Sequence, residues 1–310
     1  MQTGQKIQIR ERVVDTIRAF FKKRGFREVF TPILVPVPSA EPNLEVFQTQ
    51  LQTASGKKRQ GYLILSPEYS IKKLLAAGIG NCFEITKCFR NEEEVSRLHN
   101  PEFTMLEWYR VGADYTDIMK DFEELFLKII GKEKFTHQKK TYDLSRPWPR
   151  VSVAGAFKKY AGKDVLKVAE ADFYQIFFNK IEPAFAKSGK PFFLYDYPIS
   201  QAALARPKKA NPRFAERFEV FVAGIELGNC FSELTDSVEQ EKRLHHDLTV
   251  RKAQGKTKYG IDRDFIKALK VGLPASAGIA VGVDRLVMLA ADVPSISDII
   301  LFPGSELFEL

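Results

Sequence analysis

The chain has 310 residues, with 47 Lys and Arg against 39 Asp and Glu, a formal charge of +8, 45% hydrophobic residues and 3 cysteines. A chain of this length buries roughly three quarters of its unfolded surface, so it needs no disulfide staple, and the odd set Cys82, Cys88 and Cys230 points to reduced thiols in the cytoplasm. Charges from Lys6 to Arg18 break every N-terminal apolar stretch, and no run approaches the roughly 18 apolar residues of a membrane span, which argues against a signal peptide and a membrane partner.

In chain order, Ile9, Val13, Ile17 and Phe20 recur at helical spacing from Lys6, and Gly25 is placed to cap the helix they predict. Phe26 to Phe30 reads as a strand ended by Thr31-Pro32. Pro36 to Gly61 reads as loop plus hairpin around Ser55-Gly56-Lys57, followed by a strand at Tyr62 to Leu65 and a helix opened by Ser66-Pro67 and running to about Ala77. Strands are predicted over Cys82 to Arg90 and Phe103 to Val111, around the polar loop Asn91 to Pro101. Helices are predicted at Tyr115 to Ile130, Ser152 to Tyr160, Ala171 to Lys187, Val238 to Ala253 and Asp262 to Val271. Phe192 to Tyr197, Phe218 to Val222, Ile225 to Leu234 and Gly278 to Gly282 read as strands, the middle pair joined by the turn Ala223-Gly224. This order implies an α+β domain with a largely antiparallel sheet.

Several segments carry chemistry. Phe89-Arg90-Asn91-Glu92 and His99-Asn100-Pro101-Glu102-Phe103 flank one loop and suit a nucleotide clamp, with Arg90 for a phosphate, Glu92 for an exocyclic amine and Phe103 for stacking. A charged hairpin loop with Arg90 paired to Glu92 fits the same local pattern. Period-2 geometry puts Phe103, Met105, Glu107 and Tyr109 on one face, a carboxylate among aromatics suited to a cation. Glu68 adds a carboxylate, or simply an acidic residue in a helix first turn. Glu219 and Glu226, across a hairpin, suit a hard cation such as Mg²⁺, with solvated edge glutamates as the bland reading. The Gly278 to Arg285 run lets a ligand approach the backbone closely, with Arg285 available to a phosphate; tight helix-on-strand packing explains it equally. The histidines His99, His137, His245 and His246 and the cysteines show no metal-ligand spacing.

Together these segments resemble the three signature motifs of class II aminoacyl-tRNA synthetases: helix, strand and Pro32; Arg90-x-Glu92, loop, His99-x-x-x-Phe103; and Gly278 to Arg285. Ser66-Pro67-Glu68, Glu226-Leu227-Gly228-Asn229 and Gly282-Val283-Asp284-Arg285 are similar to the catalytic core of lysyl-tRNA synthetase, and the likeness runs from Lys6 to Pro303. The resemblance implies one class II synthetase-like catalytic domain over residues 1–310, an antiparallel sheet flanked by helices, and a homodimer built through the first motif. It implies ATP-dependent adenylation of a lysine-like amino acid. Arg90 would hold the α-phosphate, Glu92, His99 and Asn100 would contact ATP, Phe103 would stack on adenine, Arg285 would grip the γ-phosphate, and Glu219 and Glu226 would hold Mg²⁺. Glu68, Glu107, Tyr109, Asn229, Phe231 and Glu233 would form the amino-acid pocket, with Glu107 and Glu233 reading ammonium groups.

The departures from that pattern direct the choice of acceptor. Some two dozen residues precede the first motif strand, too few for an anticodon-binding barrel, and this trimmed form is similar to the ligases that transfer β-lysine to a lysine of elongation factor P. Ala280 stands where lysyl-tRNA synthetases have glycine, and its methyl group would bias the pocket from α-lysine toward β-lysine. Gly228, where those ligases carry alanine, and a Glu93 to Leu98 loop one residue longer are departures of this chain. The basic residues Arg206, Lys208, Lys209, Arg213 and Arg217 would suit an acidic, tRNA-shaped protein, or equally a solvated loop. The alternatives are a minimal lysyl-tRNA synthetase charging tRNA and a non-catalytic ATP-binding paralogue.

Overall fold

The computed structural model describes residues 1–186 and 189–309. Its contacts divide the chain into two compact units, the first made of Met1–Tyr109, Thr235–Pro274 and Gly282–Leu310, the second of Arg110–Leu234 and Ala275–Val281.

Helix Thr3–Lys23 opens the first unit and buries Val13, Ile17, Phe20 and Phe21. Gly25, at φ +74, lets the Phe26 amide reach back to the Phe21 carbonyl at 3.1 Å, closing the helix as the sequence predicts. The predicted strand Phe26 to Phe30 shortens to β1 (Arg27–Glu28), parallel to the start of the fifth strand. It stops because Thr31 turns its amide to the Glu84 carboxylate at 2.7 Å and Pro32 has no N–H to continue a ladder. β2 (Leu34–Val35), β3 (Gln48–Gln52) and β4 (Lys58–Leu63) form a small antiparallel sheet in the order β2-β4-β3. β5 (Cys82–Phe89) and β6 (Glu102–Val111) pair antiparallel, with Glu84 opposite Glu107 and Cys88 opposite Phe103. Helices Glu68–Ala76, Ser237–Ala253, Arg263–Gly272 and Val283–Ala290 complete the unit.

Helix Tyr115–Ile130 of the second unit has the predicted bounds because Asp114 accepts from the Thr116 and Asp117 amides at its start and Gly131, at φ +77, ends it. A hairpin of β7 (Lys134–His137) and β8 (Lys140–Asp143) follows. β9 (Arg150–Ser152), β10 (Phe192–Pro198), β11 (Phe214–Val222), β12 (Ile225–Ser232) and β13 (Ser276–Gly282) form a sheet in the order β13-β12-β11-β10-β9, antiparallel except at β9. On one face Phe193 lies 6.4 Å from Phe122 of the helix and 5.2 Å from Phe218. On the other, Phe192 stacks on Phe221 at 5.0 Å within a cluster that includes Phe157, Phe173 and Tyr197.

The two helices that cover this second face depart from regular α geometry. The helix predicted over Ser152 to Tyr160 is Val153–Ala156 running into a π-helical turn, Phe157–Ala161. That predicted over Ala171 to Lys187 is Glu170–Ile176, a π turn Phe177–Ile181, then Glu182–Ala186, and Lys187 lies outside the described residues. The extra residue in each π turn keeps Phe157, Phe177 and Ile181 on the buried side. The architecture is α+β, as the sequence indicates.

Candidate active site

In the first unit, two carboxylates are fixed by their immediate neighbours. Ser66 accepts the Glu68 amide at 3.1 Å and donates to Glu107 Oε1 at 2.5 Å, while the Tyr109 hydroxyl donates to Glu107 Oε2 at 2.9 Å. Lys72, one helical turn beyond Glu68 and also buried, donates to Glu68 Oε1 at 2.6 Å. Burial, then the Glu68 charge, pushes the Glu107 carboxyl up to about 8, against the pull of Ser66, Tyr109 and Lys72. Glu107 is therefore an acid poised to ionise near neutral pH when a cation arrives. Lys72 and Ser66 were not singled out as site residues by sequence; the Glu-x-x-x-Lys spacing on a helix was the available signal for Lys72.

The loop between β5 and β6 gathers a second group. The Arg90 guanidinium lies 5.0 Å over the Phe103 ring and 3.6 Å from Glu93, and its buried Nε has no hydrogen-bond acceptor among the described residues. Arg285, at the start of helix Val283–Ala290, donates from Nη2 to His99 Nε2 at 3.0 Å. That acceptor role puts the imidazole proton on Nδ1, from which it reaches Ser96 Oγ at 3.0 Å. Burial and the two guanidiniums hold His99 below its ordinary range, with Glu93 opposing, so the ring stays neutral between Arg90 and Arg285. Arg90, Phe103, His99 and Arg285 thus lie together, and Glu93 joins them. Glu92 is exposed at φ +56, steadied by the Asn91 side chain bonding its amide at 3.0 Å.

Asn100 holds backbone. Its Nδ2 donates to the Glu102 carbonyl at 2.6 Å and its Oδ1 accepts the Gly304 amide at 2.8 Å, so both amide ends are engaged within the protein. Asp284 works in the same way: it accepts from Arg10 at 2.5 Å and from the Thr104 amide at 2.7 Å, locking the first helix, β6 and the Arg285 helix together. These partners are separated by 274 and 180 positions, which is why the sequence gives no sign of them.

In the second unit, register assembles the remaining candidates. Glu219 pairs with Asn229, Arg217 with Phe231 and Asn229 with Ala280 across β11, β12 and β13. Glu226 is three positions from Asn229, which strict alternation would send to the opposite face. A bulge between Val220 and Phe221 shifts the register so that Glu226 pairs with Phe221, the face shared by Glu219. Glu233 is buried, and its amide bonds the Ser276 carbonyl at 2.9 Å.

Arg217, read from sequence as part of a basic surface, is buried: it donates to Glu219 at 2.7 Å and to Asn229 at 3.1 Å and lies 4.3 Å over the Tyr197 ring. The cation that the glutamate pair demands is thus partly supplied by the protein. Two carboxylates still fit Mg²⁺, which takes one or two from a protein and completes its shell with water and phosphate, and no set of three acidic, His or Cys ligands occurs among the described residues. The rest of the expected basic surface is also reduced, because Arg206 pairs with Glu216 at 2.7 Å and Lys208 with Asp196; Lys209 and Arg213 remain exposed.

Residues 1–306 match the family described as tRNA synthetases class II (D, K and N). The chain is 41% identical to an elongation factor P–(R)-β-lysine ligase of Vibrio vulnificus, covering 96% of this chain and 95% of that one. It is 39% identical to the ligase of the same description from Hamiltonella defensa, with 94% and 92% covered. It is also 37% identical to a lysine–tRNA ligase of Psychrobacter, where the match spans 95% of this chain but 62% of the relative.

Proposed function

Because the chain belongs to the class II tRNA synthetases of the D, K and N type, we propose that it activates (R)-β-lysine with ATP and transfers it to a lysine side chain of elongation factor P. The observation that carries this reading is the match over nearly the full length of the β-lysine ligases, set beside a match to about three fifths of a lysine–tRNA ligase.

The proposed chemistry needs no protein nucleophile. The amino-acid carboxylate attacks the α-phosphorus of ATP in line, forming the acyl–phosphate bond as pyrophosphate leaves. The ε-amine of the acceptor lysine then attacks the acyl carbon, forming an amide and releasing AMP and a proton. Arg90, with its unused Nε, holds the α-phosphate and neutralises charge as it spreads in the transition state. Arg285 takes the γ-phosphate, Glu92 and the neutral His99 contact the nucleotide, and Phe103 offers its ring to adenine. Asn100 acts on ATP through the backbone at Glu102 and Gly304 that it holds. Glu219 and Glu226 would hold Mg²⁺, which would supply positive charge to the leaving phosphates. Glu107, with Glu68 and Tyr109 beside it in the first unit, would receive a substrate ammonium group, as would Glu233 in the second, where Asn229, Phe231 and Ala280 are the proposed amino-acid contacts.

The proposed place of work is the cytoplasm. No helix among the described residues is long and apolar enough to cross a membrane. A homodimer is part of the proposal. Phe30, Phe302, Leu307 and Phe308 are exposed, and the last three line a cavity of about 730 Å³ beside Arg10 and Asp284, a surface that a second copy would cover. Pyrophosphate exchange tests the first step: (R)-β-lysine should support it better than α-lysine, and exchange with neither amino acid would favour a non-catalytic paralogue.

A further inference from the structure

The hairpin β3–β4 stands apart from the chemistry described above. Residues 48–60 are exposed throughout, and no Asp or Glu occurs between Glu45 and Glu68. Its tip carries Lys57, Lys58 and Arg59. The Gln48 side chain reaches Thr257 at 3.1 Å, bringing the neighbouring segment with Lys252, Lys256 and Lys258 to the same side of the first unit. None of these cations makes an ion pair among the described residues. Glu45, which precedes the hairpin, is buried and committed to Arg251 and to the amides of Val46 and Thr257.

β3 is also an open edge, since the sheet order β2-β4-β3 leaves one side without a neighbouring strand. The Leu63 amide donates to the Phe47 carbonyl and the Thr53 amide to the Lys57 carbonyl, so the odd-numbered residues of β3 bond to β4. The backbone N–H and C=O groups of Gln48, Gln50 and Gln52 therefore face outward. Alternating donors and acceptors of this kind match a peptide backbone, whereas the phosphates that line a nucleic-acid strand offer acceptors alone. The strand has neither a proline nor an inward-pointing charge to block pairing.

The root of the hairpin is tied to the nucleotide loop. The Asn91 amide donates to the Glu45 carbonyl at 3.0 Å and the Phe89 amide to the Ile64 carbonyl at 2.9 Å, on either side of Arg90. From Lys58 to Leu63 β4 advances five residues, about 17 Å at strand rise. We propose that this hairpin is the docking edge for the acceptor protein, which adds an extended, acid-rich segment beside Gln48–Gln52 and sets its carboxylates against Lys57, Lys58 and Arg59. This rests on the reading that the acceptor is a protein.

Two variants of the full chain test it, with elongation factor P as the probe. Lys57→Glu/Lys58→Glu/Arg59→Glu reverses the charge, and Gln50→Pro removes one outward N–H while leaving the β4 ladder intact. Both should raise the KM for elongation factor P about tenfold or more, with pyrophosphate exchange unchanged, and the charge-reversal effect should shrink as salt is raised. An unchanged KM in both variants overturns the proposal, as does loss of tRNA retention with acceptor KM unaltered, which would make the hairpin an RNA surface. A parent chain that exchanges pyrophosphate but transfers nothing to the factor overturns the acceptor reading itself, and is distinguished from a docking failure because there the parent still transfers.

Discussion

The two units hold their candidate residues by different means. In the first, long side chains fix one another: Lys72 on Glu68, Ser66 and Tyr109 on Glu107, Arg285 on His99, Arg10 on Asp284. In the second, Asn229, Phe231, Glu219 and Ala280 take their places first from strand register, with one bulge to turn Glu226 onto the shared face and the single side chain of Arg217 tying Glu219 to Asn229. Side-chain networks place charge and make a site sensitive to protonation and to removal of single partners. Strand register places shape, so the second unit is sensitive to one methyl group.

Four substitutions would break or sharpen that contrast, beginning with the strongest. Arg90→Ala removes the guanidinium with the unused donor, and pyrophosphate exchange should fall by about 10²- to 10³-fold in steady-state assays. Lys72→Met leaves the buried Glu68 carboxylate without its cation; denaturant unfolding should report a loss of about 3–5 kcal/mol, with recovery on adding Glu68→Gln. Were the single variant as stable as the parent, the first unit would not depend on its ion pair. Gly228→Ala places a Cβ 2.9 Å from the Ala280 carbonyl oxygen and from Val281 Cγ2, so β12 and β13 must separate, at about 1–3 kcal/mol seen as a lower Tm. An unchanged Tm would show the register to be more pliant than the strand pairing implies.

The mildest effect is on pH dependence. Glu107 titrates at about 8 in the folded chain against an ordinary 4.5, so the native state keeps a proton that the unfolded state has lost. Its contribution to stability is complete below about 4.5 and declines as pH rises toward 8. A substrate ammonium favours the ionised carboxylate, so amino-acid KM should fall as pH rises toward 8. Glu107→Gln should flatten both profiles, as calorimetry and exchange kinetics would record; profiles parallel to the parent's would assign the titration elsewhere.

How much of this was legible in the sequence follows the same division. Tyr115–Ile130 was readable to the residue because Asp114 and Gly131 are ordinary caps. The hairpin β7–β8 was missed because its turn is made by Gln138 and Lys139, both at positive φ, without the glycine or asparagine that marks such a turn. The bulge that brings Glu226 beside Glu219 follows no period, so alternation alone misplaces it. The motif residues Arg90, His99, Phe103 and Arg285 were visible as residue types, whereas their supports were not, because Asp284 works with Arg10 and Thr104 from distant parts of the chain. The basic surface failed for the opposite reason: Glu216, Glu219 and Asp196 were in view, but only the fold shows that they neutralise Arg206, Arg217 and Lys208.

The proposed acceptor of the activated amino acid is a protein. The most direct measurement places elongation factor P and tRNA together with the chain, ATP and (R)-β-lysine, then follows the mass of the factor and acid-precipitable label on the RNA. The expected result is a factor heavier by one β-lysyl group and an unlabelled RNA. Labelled RNA beside an unmodified factor would contradict it.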